Sequence, residues 1–405
     1  MNETIYDIII IGAGASGLMA ASVAVSRSSR VLILEKMKQP GKKLLATGNG
    51  RCNLANEVLE MSCYHSSEHA LAEEILSQIS LSEILDHFAQ LGILTVSHNG
   101  YLYPHSEQAK SVLHALLSEV TEKGAKLKLN TCVKEIVPLA EGFRVEVDGY
   151  AYFGKCVILA AGGLAAPVFG SDGDGISFAQ KLGHQMAPTS PALTGILCEE
   201  KDFFAKTAGV RVSTQLRLRG DAQVVEERGE VQFTSYGLSG IPAMILSRHV
   251  GMAALHGESC LIEADFLPDL NAVALCEFLS SQKDLHPKKT WEEILSGLLP
   301  EKLANALVHG CAKQDAETLT KGIKSAIFHT FGVRGYEDAQ VTAGGILLHE
   351  VDPKTMESKI VPNLYLTGEL LDVDGICGGY NLQWAWTTGM LAGRAAAGQK
   401  EAFHL

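Results

Sequence analysis

Three glycines and one glutamate near the start of the chain carry its most specific chemistry. An apolar run at residues 8–11 leads into Gly12, Ala13, Gly14, Ala15, Ser16 and Gly17, and small and apolar residues follow to Val25. A second apolar run, Val31–Leu34, ends at Glu35. This spacing reads as strand, glycine turn, helix and second strand closed by a carboxylate. Gly12 permits a tight turn, Gly14 lets the backbone approach a pyrophosphate, and Gly17 lets helix and strand pack closely. The unpaired N–H groups and positive dipole end of the helix then face the phosphates. Glu35, about 20 residues on, can accept hydrogen bonds from both hydroxyls of an adenosine ribose. A carboxylate there repels a 2′-phosphate, so FAD or NAD is expected rather than NADP.

The far end of the chain separates those two. The apolar run Leu364–Leu366 ends in Thr367, Gly368 and Glu369, and Gly375, Gly378 and Gly379 lead into a helix near Tyr380, Asn381, Leu382 and Gln383. A second helix N-terminus can meet the negative end of a flavin ring or its phosphates. An NAD dehydrogenase needs no such closing element, so FAD is favoured. The competing reading is a loop and a core helix, with Trp384 and Trp386 as packing.

Between these ends, residues 41–53 hold two lysines, three glycines and Arg51-Cys52-Asn53. They read as a backbone-and-cation wrap around a dinucleotide, with Arg51 near a phosphate or substrate anion; the alternative is a solvated loop. Cys52 and Cys377 read as small packing residues rather than a redox pair. The histidines form no pair at metal-ligand or triad spacing, and no GxSxG or HExxH is present. No metal site is expected. A second GxGxxG is also missing, so a nicotinamide donor would bind transiently.

The bulk properties agree with a small-molecule enzyme. The chain has 405 residues and a net charge of −12, which disfavours a nucleic-acid partner and an anionic membrane surface. Residues 8–26 carry no charge, but strand, turn and helix account for all of them better than a membrane span. The first seven residues lack the positive region of a secretory leader. Nine cysteines without CxxC pairs suit reduced thiols in the cytoplasm.

Helical spacing appears at residues 69–91 and 109–123, and a hairpin turned at Asn99-Gly100 is expected at 93–103. Strand-like runs occupy 126–129, 133–139, 143–147 and 156–161, the last ending at Gly162-Gly163. A further helix opens within 170–184. Residues 193–265 read mostly as strand and 268–331 as helix. The chain then reverts to strand and glycine. The expected class is α/β: a discontinuous Rossmann-like FAD-binding domain at 1–190 and 336–405, with an inserted β-rich domain at 191–266 and a helical one at 267–335.

Several long motifs occur in fixed order: GAGASG, GKKLLATGNGRCNLAN, GSDGDG, FTSYGLSGIP, VTAGGI, TMESK and GELLDVDGICGGYNLQWAW. With these, nearly the whole chain resembles the bacterial FAD enzymes of the aminoacetone-oxidase or dehydro-bile-acid-reductase type. The resemblance implies a two-dinucleotide-fold FAD domain and an inserted unit that covers the flavin. It carries cofactor contacts onto Gly12, Ala13, Gly14, Ala15, Ser16, Gly17, Glu35, Lys36, Arg51, Cys52, Asn53, Val133, Ala161, Gly162, Gly368, Glu369, Asn381, Leu382 and Gln383. Many relatives have His where this chain has Ser235, and Gly-Pro where it has Gly240-Ile241-Pro242.

The function expected is an FAD-dependent, NADH- or NADPH-linked reductase of an activated double bond in a steroid- or bile-acid-like substrate. Its alternative is a flavin oxidase of a small amine using oxygen. An RNA-modifying flavoprotein and a non-catalytic flavin-binding redox sensor are further readings. Tyr236, Ser239 and Arg334 are candidate catalytic groups, because they lie in or beside the matched insertion segments.

Overall fold

In the computed structural model the described residues are 4–25, 29–220 and 224–398. The leader and membrane-span readings touch residues 1–3 and 26, which lie outside that set. No helix among the described residues is long and apolar enough to cross a membrane. The chain divides into two compact units, Met1–Thr189 with Val341–Leu405, and Ser190–Gln340.

The first unit is built on β1 (Ile5–Ile11), α1 (Ala15–Ala24) and β2 (Val31–Leu34). All of β2 and most of β1 are buried, as both run through the middle of a sheet. A short helix, α2 (Lys42–Ala46), interrupts the segment read as a loop. The helical stretch at 69–91 is two helices, α3 (His69–Ser77) and α4 (Leu81–Gln90). The break falls at Ser80, whose side chain accepts from the Glu83 N–H and so starts the second helix. The hairpin Thr95–His98 with Tyr101–Pro104 follows, then α5 (Ala109–Glu122). Next come β3 (Lys126–Lys128), β4 (Val133–Pro138), β5 (Phe143–Val147), β6 (Tyr150–Leu159) and α6 (Asp174–Lys181). The sheet order is β3–β2–β1–β6–β5–β4, with β1 parallel to both β2 and β6.

The second unit closes six strands into a barrel. In chain order these elements are β7 (Ile196–Cys198), α7 (Lys201–Thr207), β8 (Arg211–Arg219), β9 (Val224–Thr234), β10 (Gly237–Ser239), α8 (Ile241–Leu255) and β11 (Cys260–Asp265). Four helices follow: α9 (Ala272–Leu285), α10 (Trp291–Leu295), α11 (Glu301–Gly310) and α12 (Ala316–Lys324). The last barrel strand is β12 (Ala326–Val333). Two expectations change here. Residues 193–265 contain two helices besides the strands, and the helical stretch stops at Lys324 instead of running to 331. Strand β12 pairs with both β7 and β11 and shuts the barrel. One apolar core, from Ile196 and Phe233 to Leu303 and Ile323, serves barrel and helices together. The strand-to-helix change expected near 267 therefore falls within one unit.

The chain returns to the first unit through β13 (Leu364–Leu366), which pairs in parallel with β6, and ends on α13 (Tyr380–Ala396). Helix α13 packs on α1 at backbone distance. A β-carbon on Gly389 would lie 2.5 Å from the Ser16 carbonyl oxygen, and one on Gly393 would lie 2.4 Å from that of Ala20. Only glycine permits that approach.

Candidate functional site: a dinucleotide cradle in the first unit

The glycine turn is formed as its spacing requires. Gly12 has a φ of 105°, and a β-carbon on it would lie 2.4 Å from the Ala160 carbonyl oxygen. Gly17 faces the Gly12 carbonyl, with 2.0 Å to its would-be β-carbon. Around Gly14 there is nothing within 4 Å of that position, so the side facing the helix start is open. Gly14 is the N-cap of α1 and provides no side-chain cap, and the first turn carries no acidic residue. The helix therefore presents unsatisfied N–H groups and its positive end to that space. Ala15 and Ser16 supply the first turn itself.

Glu35 is 9% exposed and directs its carboxylate back onto this turn. Its Oε2 accepts from the Ala13 N–H at 2.8 Å and its Oε1 from the Met37 N–H at 2.8 Å. Each oxygen keeps a lone pair. The residue thus fixes the turn and still has acceptor capacity for a ribose. Val133 begins β4 just beyond Thr131, whose N–H donates to the Glu35 carbonyl at 2.9 Å.

The C-terminal half converges on the same place. Gly368 faces Ser16 of α1. Its N–H donates to Thr388 Oγ1 at 3.0 Å, and its carbonyl accepts from Trp384 Nε1 at 3.0 Å. Glu369 Oε1 accepts from the Thr342 N–H at 2.9 Å and from Thr342 Oγ1 at 3.0 Å, while Oε2 pairs with Lys43 at 2.5 Å. Ala161 and Gly162 follow β6 and pack on the start of α6: a β-carbon on Gly175 would lie 2.9 Å from that of Ala161. Asn381, in the first turn of α13, ties that helix to its own glycine loop, accepting from the Gly375 N–H and donating to its carbonyl. Leu382 is partly buried against the unit's core. Asn53, with its amide oriented to satisfy its surroundings, accepts from the Gly379 N–H at 3.2 Å.

Two expected cations are turned to protein carboxylates. Lys36 pairs with Asp172 and, at 2.9 Å, with Asp174. Arg51 lies 5.3 Å from the Tyr103 ring centroid and 3.6 Å from Glu107. Lys42 and Lys43 reach the carbonyls of Val168 and Ala165. Residues 41–53, expected as a cationic wrap, form a strap whose lysines also hold protein groups. Cys52 is wholly buried, and burial pushes its thiol up to about 12, so it packs as a neutral group. In the other unit, Arg334 lies 4.9 Å over the Tyr236 ring and donates through Nε and Nη2 to Asp338, while Ser239 pairs in register with Gln232.

The residues present fit a bound dinucleotide. One helix start is open and uncapped at Gly14. At the other, Gly379 caps α13 without a side chain, and the buried Gln383 Oε1 has no hydrogen-bond partner. An orphaned acceptor at a helix start suits a ligand donor such as a ring N–H. Thr342 and Lys43 were not singled out from sequence. Thr342 lies inside the VTAGGI motif, whereas the partner of Lys43 is 326 residues away and left no local signal.

Comparison with known proteins agrees with this geometry. The HI0933-like protein Rossmann domain profile matches residues 6–395. The chain is 43% identical over 403 residues to the 3-dehydro-bile acid delta(4,6)-reductase of Clostridium scindens, covering 96% of this chain and 98% of that one. It is 29% identical to the ribosomal RNA dihydrouridine synthase of Escherichia coli strain K12, over 95% of this chain and 96% of that one. Among solved structures it is similar to the 3-ketosteroid-delta4-(5alpha)-dehydrogenase of Rhodococcus jostii RHA1, with a TM-score of 0.47, 16% identity and 98% of each chain covered. An open glycine turn, a carboxylate at the end of the second strand and a second uncapped helix start in the C-terminal half accord with that profile. The chain belongs to the HI0933-like family of FAD-binding Rossmann proteins, whose chemistry is the oxidation and reduction that a flavin supplies.

Proposed function

We propose that the protein is a cytoplasmic FAD-dependent reductase. It would take electrons from NADH or NADPH and saturate an activated carbon–carbon double bond in an apolar, steroid- or bile-acid-like substrate. The observation that carries this reading is the 43% identity, over 96% of the chain, to a 3-dehydro-bile acid delta(4,6)-reductase. FAD, when bound, supplies the two-electron chemistry. The protein's own part is to hold and orient it. The start of α1 would face the phosphates, Glu35 the ribose, and the start of α13 with Gln383 Oε1 the polar edge of the ring. None of the nine cysteines forms a disulfide, which supports a reducing compartment.

A second reading has its own support, since a relative 29% identical over 95% of the chain is a ribosomal RNA dihydrouridine synthase. The barrel favours the small molecule. Arg217 pairs with Glu226 at 2.5 Å, Arg228 with Asp269 at 2.6 Å, Arg211 with Glu230 at 3.3 Å, and Arg219 with Glu263. An arginine row neutralised across its own strands is poorly placed to displace counterions from a phosphate backbone.

The test is anaerobic turnover with NADH and NADPH against a Δ4,6-unsaturated 3-oxosteroid. We expect nicotinamide oxidation matched one-to-one by a product two hydrogens heavier. Peroxide formation from a small amine would support the oxidase instead. Salt-sensitive ribosomal RNA binding with no steroid turnover would support RNA modification.

A further inference from the structure

Residues 41–56 run as a strap between the two ends of the cradle, and their two attachments differ in kind. At the far end the Trp386 indole donates to the Leu54 carbonyl at 2.9 Å, and Asn53 meets the α13 start. A β-carbon on Gly379 would lie 2.6 Å from the Ala55 carbonyl oxygen, so backbones touch there. At the near end the Gly41 N–H donates to the Ala13 carbonyl at 2.8 Å, inside the glycine turn itself. The charged contact of the near end is Lys43 with Glu369, whose side chains are 26% and 18% exposed.

Glu369 is a fixed target for that lysine. Its other oxygen holds two donors from Thr342, a fully buried residue. Thr342 Oγ1 in turn accepts from the Leu164 and Ala165 N–H groups at 2.8 and 3.0 Å. The acceptor loses no freedom when Lys43 docks, which makes the pair more effective than one between two mobile surface side chains. Removing Lys43 leaves Glu369 still held by Thr342, so the fold survives the loss.

We propose that Lys43 is a positioning residue for FAD: its ion pair with Glu369 closes the strap beside the glycine turn and sets how fast the dinucleotide leaves. This inference rests on the FAD reading of the cradle. It assigns Lys43 no contact with the reacting atoms, and it gives Glu369 a role as anchor of the strap.

The experiment follows release of FAD from the holoprotein by flavin fluorescence after dilution, at low and high salt. Lys43→Met is expected to release FAD about tenfold faster, the scale of coupling between groups in direct contact. Wild-type release should accelerate with salt, because the pair is partly exposed and therefore screened, and Lys43→Met should lose that acceleration. Lys43→Arg should restore slow release, and Lys42→Met, whose lysine meets the Val168 carbonyl and the Phe169 ring but no carboxylate, should match wild type. Lys43→Met releasing FAD at the wild-type rate, with the wild-type salt dependence, overturns the inference and leaves the cofactor assignment standing. A wild-type protein that binds no FAD overturns both.

Discussion

Gly368 packs against Ser16 so closely that a β-carbon on it would lie 2.7 Å from the serine hydroxyl oxygen, and its φ is 72°. The contact joins residues 352 positions apart, at the first turn of α1 and in the short turn that follows β13. Gly368→Ala should therefore cost on the order of 1–3 kcal/mol in urea unfolding, from left-handed strain and crowding together. It should also lower the flavin content of the purified protein.

Gly14 and Gly17 separate cofactor approach from fold. Gly14 has open space where a β-carbon would go and an ordinary negative φ, whereas Gly17 has a carbonyl oxygen 2.0 Å away. Gly14→Ala should melt within a degree or two of the wild-type apoprotein yet bind FAD about tenfold or more weakly. Gly17→Ala should lose about 2 kcal/mol or more of stability before binding is considered. Calorimetry of the apoproteins and fluorescence titration with FAD check the pair. Equal FAD affinity in Gly14→Ala and wild type would remove the pyrophosphate from this turn.

Glu35 should matter twice. Its carboxylate satisfies the Ala13 and Met37 N–H groups, so Glu35→Ala leaves both without that acceptor, at roughly 1–3 kcal/mol each if no water replaces it. FAD retention should fall with it. Glu35→Gln keeps one acceptor and part of the stability, but loses one of the two oxygens that the ribose hydroxyls would use. Unchanged flavin content in both variants would remove the ribose role.

A pH dependence follows from His249 in α8. Burial, reinforced by Arg248, pushes its pKa down to about 4 from an ordinary 6.5. The unfolded chain then binds a proton that the folded chain refuses. The neutral folded form is at no disadvantage above pH 6.5, and stability falls as pH drops from there toward 4. The loss reaches up to about 3 kcal/mol. Urea unfolding at pH 7 and pH 4.5 should show His249→Gln losing less stability than wild type across that interval. Parallel losses would show that His249 titrates normally.

Much of the cradle was legible because its signals are local. Gly12, Gly14 and Gly17 answer three steric demands within one turn, and Glu35 ends the next strand. The barrel was harder to read. Strand β12 alternates, but its exposed positions include Ile327 and Phe331, so apolar residues lie on both faces and the period is hidden. Helix α8 is apolar nearly all round and buried on several sides, so it shows no amphipathic stripe. The strap read as a cationic wrap because sequence reports that Lys42 and Lys43 are charged, not that Val168, Ala165 and Glu369 lie within reach. Partners distant along the chain are set by the fold alone.

The measurement closest to the central claim is the visible absorption of the natively purified protein, followed by anaerobic titration with NADH and with NADPH. A yellow preparation, bleached by a nicotinamide and recoloured by an unsaturated 3-oxosteroid, is the outcome expected of a flavin held at the starts of α1 and α13. A colourless protein that stays colourless after incubation with FAD would contradict it.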